Sequence, residues 1–92
     1  MSAVQVEVTG ELDLATAPAL LEQVRTTLAG RPDAIVLDLT GVTFCDSSGI
    51  NALVDAHTLA GAGGTTLRVT NPQRITRRAL EITGVLPLLT GA

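Results

Sequence analysis

Residues 34–39, Ala34-Ile35-Val36-Leu37-Asp38-Leu39, constrain this chain more than any other stretch. The run is short, rich in branched side chains and almost unbroken in apolarity. A strand buried on both faces of a parallel sheet reads this way. The pattern then changes period. From Ser47 to Ala60 the polar residues Ser47, Ser48, Asn51, Asp55 and Thr58 fall on one narrow stripe when successive residues turn by about 100°. A helix entered directly from a buried strand therefore begins at Asp46-Ser47-Ser48-Gly49. Asp46 or Ser47 can cap its free N–H groups, and the helix dipole favours negative charge there. Gly49 falls on the packing side of the first turn, where the missing side chain permits close approach to the sheet. Taken alone, the tetrapeptide also reads as an ordinary cap with no further role.

The remaining segments fit around this junction. Val4-Gln5-Val6-Glu7-Val8 alternates at period two, as a half-exposed strand ending at Gly10 does. Glu11-Leu12-Asp13-Leu14 reads as a loop into a helix with Thr16 as N-cap, Pro18 in its first turn, and Ala17, Leu20, Leu21, Val24 and Leu28 on one face. Gly30 stops that helix, and Arg31-Pro32-Asp33 turns into the apolar strand. After the Ser47 helix, Gly61-Ala62-Gly63-Gly64 breaks the chain and Thr66-Leu67-Arg68-Val69-Thr70 alternates as a second half-exposed strand. Asn71-Pro72 suits an N-cap followed by proline. In the helix that follows, Ile75, Ala79 and Ile82 read as the inner side, Arg74, Arg78 and Glu81 as the wet side, and Gly84 as the stop. The tail from Val85 to Leu89 reads as packed extended chain. The order β-α-β-α-β-α implies α/β architecture with right-handed crossovers.

Length and composition exclude several classes of function. A chain of 92 residues with 46% hydrophobic residues is expected to fold as one small domain over residues 1–92. Its net charge of -3 makes nucleic acid a poor partner. No stretch approaches the roughly 18–20 apolar residues of a membrane span, and no signal-peptide pattern opens the chain, so a cytoplasmic protein with no membrane partner is expected. The single cysteine, Cys45, fits a small buried hydrophobe in a reducing compartment. There is no lysine for a P-loop, and one His with one Cys makes no familiar zinc site. A Ser47 hydrolase is opposed by Cys45 standing where a nucleophile elbow needs glycine. It is opposed also by His57, roughly 15 Å along the same helix and read as a packed, hydrogen-bonded residue. No enzyme activity, cofactor or metal is expected. Arg77 or Arg78 is spaced to pair with Glu81, so the arginines there read as a solvated face.

Two separated motifs agree with one family. Gly10-Glu11-Leu12-Asp13, a helix, a buried strand and then Asp46-Ser47-Ser48-Gly49 opening the next helix closely resemble the STAS domains of bacterial anti-sigma factor antagonists. The match runs over nearly all of the chain. It implies a single STAS-type α/β domain with a mixed, mostly parallel sheet and helices, shortened at both ends. Relatives carry one more strand before Val4 and a last helix after this C-terminus. A shortened domain leaves the Val4 to Val8 edge open to a second copy, so a homodimer is among the expected partners.

The resemblance also implies the function. The serine matching Ser47 accepts phosphate from an anti-sigma factor that is itself a serine kinase, while Ser48 is the silent neighbour. The unphosphorylated protein binds that kinase so that the sigma factor is released, and a serine phosphatase restores it. Asp13 faces the phosphoserine and Asp46 precedes it. With Ser48, Asn51 and Asp55, these residues are the expected partner-binding surface. A STAS module acting as a non-switching scaffold or transport-complex subunit is the alternative.

Overall fold

The computed structural model describes residues 2–91; Met1 and Ala92, the two ends of the expected domain, lie outside the described residues. Three strands, β1 (Ala3–Leu12), β2 (Ala34–Cys45) and β3 (Thr66–Thr70), form one sheet in the order β1-β2-β3. Both pairings are parallel. The helices are α1 (Ala17–Leu28), α2 (Ser47–Ala62), α3 (Arg74–Ile82) and α4 (Leu86–Thr90). The expected α/β architecture is therefore present, with β1 at a sheet edge.

The core lies on one side of the sheet. Ile35, Leu37, Leu39, Leu67 and Val69 point into it and meet Leu20 and Val24 of α1, Leu53 and Ala56 of α2, Leu80 of α3 and Leu89 of α4. The alternate positions Gln5, Glu7, Val36, Asp38, Arg68 and Thr70 are not buried. This corrects the reading of 34–39 as covered on both faces. Val36 is apolar yet only half-buried, and the alternation that signals an open face is hidden wherever an apolar residue happens to stand on it.

β1 and β2 also run further than their alternation indicates. β1 passes Gly10, which has φ +82°, and ends at Leu12. β2 passes Leu39 and ends at Cys45. Ala3 pairs with Ala34 and Leu12 with Cys45, so β2 uses 12 residues where β1 uses 10. The register shifts fall between Glu7 and Thr9 and between Gly10 and Glu11, and each leaves one extra residue on β2. Core positions on β2 accordingly change from spacing two (Ile35, Leu37, Leu39) to spacing three (Leu39, Val42, Cys45). A strand with that spacing loses its period-two signal.

Two more expectations are corrected at the C-terminal side. The α3 N-cap is Gln73, not Asn71, which takes φ +55° in the turn before it. Thr76 and Leu80 are the buried residues of α3, whereas Ile75 is 71% and Ile82 72% exposed. Ala79 does pack against the core, and Arg74, Arg78 and Glu81 are exposed as expected. The tail is not extended: it forms α4, which places Leu89 in the core and ends at Gly91 in the left-handed region. Pro87 lies in the first turn of this helix, where its missing donor costs no helical hydrogen bond.

Candidate functional site

Strand β1 ends at Leu12 and β2 at Cys45, and these two residues are paired. The chain leaves both strands at the same end of the sheet, the C-terminal end at which parallel α/β sheets present their loops. The Asp46 N–H donates to the Leu12 carbonyl at 3.1 Å, which ties the start of α2 to the end of β1. Asp46 is the N-cap of α2: its backbone is extended and its Oδ1 accepts from the Gly49 N–H at 3.0 Å. Gly49 is packed so closely against β1 that a Cβ there would collide with the Leu12 carbonyl oxygen and sit 2.9 Å from the Cys45 Sγ. The expected close approach of helix and sheet at Gly49 is thus observed.

Ser47 is the first residue of α2 and is exposed; Ser48 beside it is half-buried. No preceding turn of helix exists to accept their N–H groups. Asn51, Asp55 and Thr58 are exposed further along α2, so the polar stripe read from the sequence faces solvent. The side chains of Ser47, Ser48, Asn51 and Asp55 make no hydrogen bond or ion pair among the described residues. His57 is half-buried and likewise makes none, which corrects the reading of a hydrogen-bonded histidine.

Asp13 is half-buried and closes a tight turn between β1 and α1. Its Oδ1 accepts from the Ala15 and Thr16 N–H groups, each at 3.0 Å. Thr16 reciprocates, its Oγ1 accepting from the Asp13 N–H at 3.0 Å and donating to the Glu11 carbonyl at 2.8 Å. Thr16 therefore secures the turn and makes no side-chain cap on α1 itself. Asp13 and Ser47 are brought to one end of the sheet by their strands, without a hydrogen bond between their side chains among the described residues.

The exposure of two apolar residues at this end was not read from the sequence. Leu14 is 77% exposed in the Asp13 turn, and Phe44 is 45% exposed on β2 just before Cys45. Phe44 pairs with Glu11 next to the second bulge, and the extra residue turns it out of the core. Cys45 faces inward, and burial, aided by the nearby Asp46 charge, pushes its thiol up to about 11. Among the described residues no group of three or more His, Cys, Asp or Glu is placed to hold a metal. None of their helices is long and apolar enough to cross a membrane.

The chain matches known proteins over most of its length. The family model described as "Mlab, STAS domain" covers residues 1–90. The anti-sigma-F factor antagonist RsfB of Mycobacterium tuberculosis is 34% identical over 76 residues, which are 83% of this chain and 62% of that protein. The chain thus spans less than two thirds of that relative. A crystal structure of an anti-sigma factor antagonist from Mycobacterium paratuberculosis superposes with a TM-score of 0.74 at 33% identity, covering 91% of this chain and 71% of the other. The unphosphorylated anti-sigma factor antagonist SpoIIAA has the same fold, with a TM-score of 0.79 at 21% identity over 94% of this chain and 76% of the other.

Proposed function

This chain belongs to the STAS-domain family of anti-sigma factor antagonists, and from that premise we propose that it is a binding protein switched by phosphorylation of Ser47. In its unphosphorylated form it binds an anti-sigma factor that is a serine kinase, and a sigma factor is released for transcription. A serine phosphatase resets it. It works in the cytoplasm as a substrate of these enzymes and has no catalytic role of its own. The observation that carries the reading is the position of Ser47, exposed at the first residue of α2, directly after the Asp46 cap and at the same sheet end as Asp13.

The physical effect of the phosphate follows from its charge. It adds about -1.5 to -2 charges at a surface that already carries Asp13, Asp46 and Asp55. Like unit charges about 4 Å apart repel by about 4 kcal/mol at an effective dielectric near 20, before salt screening. The α2 dipole offsets part of this within the free domain. Phosphorylation therefore blocks docking at the Ser47 end of a surface that includes Asp13, Asp46, Ser48, Asn51 and Asp55 and leaves the fold intact. The β1 edge, with which no strand of the described residues pairs, adds self-association as a further mode of contact.

The test is incubation with the anti-sigma kinases of the source organism and ATP, followed by mass-spectrometric site mapping. Phosphate is expected on Ser47 and not on Ser48. Full labelling of a Ser47→Ala variant would remove the assignment, and no labelling by any of them would leave the non-switching scaffold. Ser47→Asp should keep the amide spectrum of the parent and bind the kinase more weakly.

A further inference from the structure

The polar stripe of α2 does not end in featureless surface. Beyond Asp55 it opens on a groove of about 400 Å³ between α1 and α2, lined by Leu21 and Arg25 from α1 and by Asp55, Thr58, Leu59 and Ala62 from α2. Leu21 and Leu59 are partly buried against the core and form its apolar floor. The two charges at its mouth differ. Arg25 lies 3.5 Å from Glu22 and is already paired, whereas Asp55 is exposed and has no partner among the described residues. An unpaired carboxylate beside a partly covered apolar floor complements an apolar side chain flanked by a cationic one.

We infer that this groove is a second part of the surface that holds the anti-sigma factor, one that phosphorylation does not switch; this rests on the reading of Ser47 as the kinase target. Contiguity supports it, because Ser47, Asn51, Asp55 and Thr58 are all exposed along one face of α2 and lead into the groove. Distance separates the two parts electrically. Asp55 is eight residues beyond Ser47, roughly 12 Å along the helix, and Thr58 and Ala62 lie further still. That exceeds the Debye length of about 8 Å at physiological ionic strength, so a charge at Ser47 is largely screened at the groove. Partner contacts made there persist in both states of the serine. The groove then adds the same affinity in both states, and the phosphate weakens binding by removing the contacts around Ser47.

The test is a double-mutant cycle read by calorimetry, with the purified anti-sigma kinases of the source organism as probes and the mycobacterial anti-sigma-F factor as a reference. Thr58→Lys places a long cationic side chain over the groove without lowering helix propensity. It should weaken binding about tenfold in the parent and by the same factor, within twofold, in a Ser47→Asp background, as expected of sites more than about 7–10 Å apart. Unchanged affinity in the parent would overturn the proposal, as would a loss confined to the parent background. If kinase affinity is unchanged and Thr58→Lys instead dissociates a parent dimer in sedimentation, the groove belongs to a second copy and the proposal falls. A Ser47→Asp chain that binds as tightly as the parent sinks the switch alone; the groove is then judged by Thr58→Lys in the parent. If none of the probes binds the parent, both readings fail.

Discussion

The α-carbon of Gly49 faces the main-chain carbonyl of Leu12 so closely that no other residue fits between them. The first turn of α2 is seated on the end of β1 by this contact and by the Asp46 N–H donated to the same carbonyl. Ser47 owes its position to that seat.

Gly49→Ala is the sharpest test of it. Alanine favours a helix interior over glycine by about 1 kcal/mol. The added methyl meets main chain that cannot swing aside, and overpacking of this kind costs about 1–3 kcal/mol. The clash should win, giving a net loss in urea unfolding together with poorer phosphate transfer to Ser47. A more stable variant would show that the turn can shift freely.

Asp46 is expected to matter first as a cap. Asp46→Ala should cost about 1 kcal/mol of stability, within the range of about 0.5–2 kcal/mol for lost N-caps. Asp46→Asn keeps an acceptor for the Gly49 N–H and should unfold near the parent midpoint in chemical denaturation. An equal loss in both variants would point to the charge instead of the hydrogen bond.

Cys45 supplies a pH-dependent prediction. Its thiol is raised from the ordinary 9.0 to about 11, chiefly by burial and secondarily by Asp46. The native protein holds this proton while the unfolded chain releases it. The contribution to stability is therefore fully present below pH 9 and is lost as pH rises through about 11. At pH 8 the native thiol should react with iodoacetamide about a hundredfold more slowly than the unfolded one, since only the thiolate is nucleophilic. Labelling at the unfolded rate under native conditions would contradict the burial.

The orientation of α3 can be checked by opposing substitutions. Leu80 is fully buried, so Leu80→Ala should cost about 2–5 kcal/mol. Ile75→Ser and Ile82→Ser should each stay within about 0.5 kcal/mol of the parent, because both side chains face water. The reverse ranking in thermal melts would restore the face that the hydrophobic spacing alone indicates.

Thr76 offers a route to a more stable chain. It is 1% exposed and its Oγ1 has no hydrogen-bond partner among the described residues. An unsatisfied buried hydroxyl costs about 1–3 kcal/mol, and valine has nearly the same shape. Thr76→Val should raise the urea midpoint, with a gain on the order of 1 kcal/mol. A lower midpoint would mean that the hydroxyl finds a partner in solution.

These positions also mark what a single sequence can convey. The β3 strand, the start of α2 and the packing of Gly49 were legible because local signals and tertiary packing agree there: alternation from Thr66 to Thr70, a capping Asp, and a glycine on the inner face. The face of α3 was not, because the apolar spacing of Ile75 and Ile82 competes with Leu80 and only packing decides the phase. Neither was β2 beyond Leu39, whose two extra residues erase the period on which strand reading depends. At the site, the exposure of Ser47 and Asp55 followed from helical spacing. The fastening of Asp13 by Thr16 needed three dimensions, since a loop residue just ahead of a helix looks the same whether or not its carboxylate is engaged.

The two bulges on β2 have a consequence for how this chain tolerates insertion and deletion. They work as a vernier: twelve residues are laid against ten, and the offset sets the rotation with which the strand delivers its last side chains. Thr43 is exposed and stands beside the second offset. Removing it would set Phe44 one position and Cys45 two positions after Val42, which restores period two with Phe44 still outward against Glu11 and Cys45 still inward. Deletion should therefore be accepted at Thr43 and in the Gly61–Gly64 turn, and rejected within the regular Ile35 to Leu39 run, where it turns the following side chains to the other face. The phase of the regular run thus carries the address of the serine, and the bulged residue is slack that the strand can lose.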